Sequence, residues 1–174
     1  MHPAEIEHAL ETLTLIVDTR EQDTNRARRR IARTELPYIR RALSFGDYSC
    51  LITLPDGSVL DFSSSIAIER KMDLDEIAAC FTRHRARFER EFQRAKANHA
   101  KLYLLIENAS WEKVIKGDYR SRMHPKALLA SLTAWLARYD CPVIMCDELT
   151  SPRLIRELLY REVKEMLGGD ELND

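Results

Sequence analysis

No stretch of this sequence reaches the ~18 consecutive apolar residues that a membrane span needs. Residues Met1 to Leu13 carry Glu5, Glu7 and Glu11 and lack the basic start and apolar middle of a secretion signal. The expected location is therefore the cytoplasm, at the nucleoid if the source is bacterial or phage. There are only five glycines, and they form neither G-x-G-x-x-G nor G-x-x-x-x-G-K-[ST], so no nucleotide-binding loop is indicated. The four cysteines, Cys50, Cys80, Cys141 and Cys146, make no C-x-x-C pair and no zinc-finger spacing with histidine. They read as reduced, buried thiols. His84, His99 and His124 have no partner pattern, which argues against a zinc centre or a histidine nucleophile. There is no internal repeat and no low-complexity segment.

What remains is a chain of 174 residues, enough for one domain with a normal core. Its net charge of −1 says nothing by itself about nucleic acid, but the choice of base does: 20 of the 27 basic residues are arginine. Arginine presents a planar fork that matches a phosphate in two bonds. Two stretches concentrate it, Arg26–Arg33 and then Arg83, Arg85, Arg87, Arg90 and Arg94. Either stretch alone could equally be a solvated helix face, because Glu89 and Glu91 stand among the second set.

The order of elements implies an α/β protein, a mixed sheet with helices on its faces. The run Leu13–Val17 is β-branched and apolar, a buried strand. Thr24–Glu35 reads as a helix stopped by Pro37. Leu43–Leu54 reads as a strand interrupted at Gly46 and Asp47, with a turn at Pro55–Gly57, a return arm at Val59–Phe62 and a third strand at Ile66–Lys71. From Asp73 the apolar period becomes helical, giving one long or broken helix to about His99. Leu102–Ile106 and Pro142–Met145 read as strands covered on both faces, Pro125–Tyr139 and Ser151–Met166 as helices. The front strands are expected to be antiparallel and the later ones parallel.

Glu69 and Lys71 are two apart in a strand, so both side chains leave the same face. E-x-K alone is weak, because a surface ion pair looks the same. Asp47 adds weight. It follows a glycine, which permits a bulge and close approach, in a strand expected to lie near Glu69. Two carboxylates brought together repel unless a cation lies between them, and hard oxygen ligands of this kind suit Mg²⁺. Asp18, ending the first strand, offers a third carboxylate. Such a centre suits phosphodiester hydrolysis, with Lys71 orienting or deprotonating water or stabilising the developing charge.

Three motifs stand in order: V-D-T-R-E at residues 17–21, G-D-Y at 46–48 and E-R-K-M-D-L-D at 69–75. Together they resemble the nuclease domain of the XPF-type structure-specific endonucleases, within the restriction-endonuclease-like superfamily, from about Leu13 to Ile106. The resemblance implies a three-layer core in which a central mixed sheet is flanked by helices. It makes Asp18, Asp47 and Glu69 the metal ligands, for Mg²⁺ with Mn²⁺ able to replace it, and Lys71 a catalytic residue. Arg20, Arg70 and Asp75 fall on positions that support the site. Arg70 points away from Glu69 and Lys71 if the strand is regular, and Asp75 could instead cap the helix that follows. Glu21 stands either as a supporting acid or as an ordinary loop residue. Residues 1–12 then read as an N-terminal extension, 13–167 as the nuclease domain and 168–174 as a disordered acidic tail.

A helix beginning beside such a site would bring Arg83, Arg85, Arg87, Arg90 and Arg94 to a DNA backbone, with Arg120 nearby, and phosphate contacts of this type carry no base information. The stripe Leu128–Tyr139 is either core or, as the resemblance favours, a homodimer surface along the 125–139 helix. Family members usually carry helix-hairpin-helix modules after this domain. None is evident here, so the expectation is that such grip is missing or comes from a partner chain. The function expected is metal-dependent endonucleolytic cleavage of branched or flapped DNA. The alternatives are a catalytically silent DNA-binding scaffold and a four-way-junction resolvase of the same fold.

Overall fold

The computed structural model describes residues 2–168. Seven strands form one mixed sheet: β1 (Thr14–Val17), β2 (Tyr38–Arg40), β3 (Tyr48–Thr53), β4 (Val59–Asp61), β5 (Ile66–Lys71), β6 (Lys101–Glu107) and β7 (Val143–Cys146). The helices are α1 (Pro3–Leu10), α2 (Asn25–Ala32), α3 (Leu74–Phe81), α4 (Arg85–Ala97), α5 (Trp111–Lys116), α6 (Pro125–Tyr139) and α7 (Ser151–Gly168). Strand order is β2-β1-β3-β5-β6-β7, with β4 hairpinned onto β3. β3 runs antiparallel to β1, β4 and β5, while β5, β6 and β7 are parallel.

Strand alternation sorts the core into two layers. Ile66 and Ile68 of β5, with Tyr103 and Leu105 of β6, face a cluster that includes Ile31 of α2 and Ile155, Leu159 and Val163 of α7. Ala67, Leu102, Leu104 and Ile106 face the other way, onto Ile77, Phe81, Phe88, Phe92 and Trp135. This is the expected three-layer α/β architecture, with apolar strands covered on both sides.

The structure departs from these expectations in places and adds to them in others. The segment read as an N-terminal extension, residues 1–12, contains α1, which places Ile6, Ala9 and Leu10 in the core against α7. The strand expected over Leu43–Leu54 begins only at Tyr48, because Gly46 turns the chain with φ +75°. A further strand, β2, lies parallel to β1 within the otherwise antiparallel front of the sheet. The long or broken helix expected from Asp73 to about His99 takes the broken form, divided at Thr82–His84 into α3 and α4. The acidic tail, from Gly169 onward, lies outside the described residues. No described helix is long and apolar enough to cross a membrane.

On α6, Leu128, Leu132 and Trp135 are fully buried in the protein's own core, and Leu129, Leu136 and Tyr139 remain half-buried. Most of the apolar stripe is therefore used within the chain.

Candidate active site

The end of β5 decides the geometry. Ala67, Glu69 and Lys71 share the face covered by α3 and α4, while Arg70 leaves with Ile66 and Ile68 toward α2 and α7. Lys71 Nζ bonds Glu69 Oε1 at 2.5 Å, stands 3.9 Å from Glu76 and lies 5.4 Å over the Phe88 ring. Both Glu69 and Lys71 are buried in the wall of a cavity of about 300 Å³, which Cys80, His84, Arg87 and Glu91 help to line.

Asp47 arrives from the loop before β3. The Asp47 amide donates to Ile68 O at 2.8 Å, and its Oδ2 accepts from the Arg70 amide at 2.8 Å. This approach requires Gly46: a Cβ there would meet Ala67 Cβ at 2.8 Å and Ile68 O at 3.2 Å. Burial and then the neighbouring Glu69 push the Asp47 carboxyl well above its ordinary 3.8, more than Lys71 and the Arg70 amide can offset. Burial likewise raises Glu69 above 4.5, with Lys71 opposing and Glu91 adding to the rise. Burial works against the Lys71 charge, but Glu69 and Asp47 outweigh it and hold the ammonium protonated.

Asp18 behaves differently. Its Oδ1 accepts from the Arg20 amide and Arg20 Nε, both at 2.7 Å, and its Oδ2 accepts from the Leu43 amide at 2.6 Å. Burial would raise this carboxyl, yet those hydrogen bonds carry it below 3.8. Its lone pairs are engaged, so the expected ligand trio of Asp18, Asp47 and Glu69 does not assemble. Among the described residues, no three His, Cys, Asp or Glu side chains form a metal cage. Asp18 instead holds Arg20, whose Nη2 reaches Glu91 at 3.3 Å.

Glu91 stands among the arginines for which a solvated helix face was one of the two readings. It is buried, and its Oε1 also accepts from the Gly46 amide at 3.0 Å. The signal was available, since Glu91 is three residues after Phe88 and so on the stripe that faces the core.

The other expected residues divide. Asp75 neither caps α3, a role taken by Asp73, nor faces Glu69. It anchors the loop before α6 by accepting from Arg120 Nε at 2.9 Å and the Ser121 amide at 2.6 Å. Arg83 and Arg120 line a recess of about 730 Å³ that shares Ala79 with the Glu69 cavity, and Arg87 lines the cavity itself. Arg85 lies over Trp135 at 5.9 Å, and Arg94 Nε donates to Ser44 O at 2.8 Å, so these two are partly engaged. Arg90 is exposed.

Arg70 enters a second network on the opposite face. Its Nη2 bonds Glu107 at 2.6 Å, and the wholly buried Glu107 also accepts from the Ser151 hydroxyl and lies 3.6 Å from Arg30. Arg30 binds Glu21 at 2.9 Å and donates to the Tyr48 hydroxyl at 3.0 Å. Glu21 is thus part of a buried network. Glu107, like Asp18, is an acid ending an apolar strand, a pattern the sequence reading did not extend to it.

Comparisons with known proteins agree with this frame. The model of the ERCC4 domain family matches residues 17–151. XPF from Aeropyrum pernix superposes with a TM-score of 0.62 at 19% identity, covering 86% of this chain and 61% of that one. XPF from Aeropyrum pernix in complex with DNA gives 0.61 at 20% identity, covering 87% and 65%. The chain thus spans less than two thirds of the length of these solved relatives. No curated protein matches the sequence.

Proposed function

The chain belongs to the ERCC4 domain family, and from that premise we propose that it is a divalent-metal-dependent DNA endonuclease acting on branched or flapped DNA. The observation that carries the reading is the pair Asp47 and Glu69. The Asp47 carboxyl is half-buried and the Glu69 carboxyl buried, both are raised, Glu69 opposes the charge on Asp47, and among the described residues Lys71 is the only cationic side chain bonded to either. A protein that gathers repelling acids at a sheet edge gains from a cation there. The donor set fits Mg²⁺, which takes one or two carboxylates and fills its shell with water and phosphate oxygens. Mn²⁺ would substitute.

Asp47 and Glu69 would hold the ion, which supplies charge neutralisation at the phosphate and a lowered pKa for bound water. Lys71 Nζ, fixed by Glu69 and seated over Phe88, would donate to a phosphate oxygen as negative charge grows on it. Glu91 and Gly46 hold the Asp47 loop against β5. Arg83, Arg87 and Arg120 border the cavity and would bind the backbone on either side of the scissile phosphate.

The test is cleavage of labelled flap, fork, four-way-junction and plain duplex DNA with Mg²⁺ or EDTA. Cutting should require metal, favour branched substrates, and fall by about 10³-fold in Asp47→Asn with DNA binding retained. Wild-type cutting by that variant would overturn the site. Binding without any cutting would leave the silent-scaffold reading, and paired symmetric cuts in junctions the resolvase reading.

A further inference from the structure

The first arginine stretch of the sequence, on α2, has no part in the Asp47–Glu69 site. α2 contains no acidic residue, so it has no partners within itself for Arg26, Arg28, Arg29 and Arg30, or for Arg33 at its C-cap. Three of the five are neutralised from elsewhere. Arg26 pairs with Glu148, Arg28 binds Asp23 at 2.8 Å, and Arg30 belongs to the Glu21–Glu107 network. Arg29 bonds only the Asn25 carbonyl of its own helix, and Arg33 has no carboxylate in reach among the described residues. Both are exposed, four positions apart on one side of the helix.

They border a recess of about 540 Å³ walled by α2, Asn108 and Pro152. Arg33 also shares a smaller recess of about 270 Å³ with Arg153 of α7, which is exposed and has no carboxylate within 4 Å among the described residues; Glu157 and the Arg156–Glu35 pair complete its wall. Three exposed guanidiniums with no carboxylate within 4 Å among the described residues therefore rim one surface. The floor holds Glu107 and Glu148, which disfavours a free anion deep inside and leaves the rim as the place of contact.

The rim fits a polymer of phosphates. Arg29 and Arg33 are separated by about 6 Å along the helix axis, comparable with two nucleotides of rise in one strand of a duplex. No aromatic side chain lines either recess, whereas grooves for single-stranded nucleic acid stack bases on aromatics. The surface also opens at the catalytic edge of the sheet. β5 and β6 end side by side, with Lys71 in register with Ile106, and Asn108 Nδ2 donates to Met72 O at 3.2 Å. The recess and the Glu69 cavity thus flank the same strand ends from opposite faces.

We propose that Arg29, Arg33 and Arg153 form a second docking surface for the phosphodiester backbone of duplex DNA, so that two arms of a branched substrate are held on opposite faces of one sheet edge. The inference rests on the nuclease reading for the identity of the substrate. It supplies a grip on branched DNA from within this domain.

Arg29→Gln/Arg33→Gln and the triple variant with Arg153→Gln test it in the full chain. All three positions are exposed, so melting temperature should match wild type. Binding would be measured in EDTA, over a salt series, to a fork with two duplex arms and to a duplex of one arm's length. The expected result is about a ten-fold loss of affinity for the fork, a salt slope reduced by about two, and no change for the short duplex. An Arg83→Gln/Arg87→Gln variant should weaken both substrates. Unchanged fork binding, or equal loss on both substrates, overturns the proposal. If wild type binds DNA but never cuts it with Mg²⁺, the nuclease reading fails while the fork-specific loss still decides this one.

Discussion

On one face of β5, Glu69 and Lys71 share their surroundings with Asp47, Glu76 and Glu91. On the other, Arg70 shares its surroundings with Glu107, Arg30, Glu21, Arg26 and Glu148. The residue types are alike, and each set joins buried members to half-exposed ones such as Glu76 in the first and Arg26 in the second. The second set balances, with three acids against three arginines, and every carboxylate has a guanidinium. Burial would raise Glu107, yet Arg70, Ser151 and Arg30 carry it below 4.5. In the first set Arg20 and Arg94 answer Glu91 and Lys71 answers Glu69, but among the described residues no basic side chain bonds Asp47, and Asp47 and Glu69 are raised instead. A buried network whose charges cancel stabilises the fold, whereas one left with surplus acid is built for an ion or substrate that arrives later.

The comparison can be broken most severely at Glu107. Glu107→Gln strips the partner from Arg70 and Arg30 and should cost about 3 kcal/mol in urea unfolding, because an uncompensated buried charge is left behind. A loss below about 1 kcal/mol would show that water already serves those arginines. Next is the hinge between the faces. Gly46→Ala must either leave the left-handed region or press on Ala67, and should cost about 2 kcal/mol together with most of the cleavage activity. Retained activity at reduced stability would mean that the Asp47 position survives a shift in its loop.

The smallest effect is a sign in a pH series. Asp47 has a folded-state pKa above its unfolded value of 3.8, so its contribution favours folding below that value and is lost as pH rises through the folded pKa. Glu107 is depressed, so its contribution is present above 4.5 and lost as pH falls. In EDTA, the urea midpoint of Asp47→Asn relative to wild type should therefore climb as pH rises from about 4 to 8. The opposite trend would mean that Asp47 is already compensated without metal. Adding Mg²⁺ should raise wild type and leave the variant nearly unmoved.

Much of this was legible in the sequence because it depended on periodicity. The hairpin and β5 follow from alternation, and alternation alone placed Glu69 with Lys71 and turned Arg70 away. β2 could not be read this way. Tyr38, Ile39 and Arg40 are all exposed, and what makes them a strand is backbone pairing with β1. The engagement of Asp18 was equally hidden, since it depends on an amide 25 residues away at Leu43. Asp75 carried a motif position but met its partner, Arg120, 45 residues later. Asp47 and Glu69 were reachable because glycine before an acid and E-x-K each describe local geometry. Glu91 was missed because its arginine neighbours drew the reading outward while Phe88 and Phe92 held it in.

The parity of β5 also constrains how the domain can vary. Membership of the acidic or the balanced set depends on whether a position is odd or even, not on its distance along the chain. A one-residue slip of β5 against β3 and β6 would turn its last residues over, sending Arg70 among the acids and Glu69 and Lys71 toward Glu107. A two-residue slip keeps the parity and leaves both sets facing as they do.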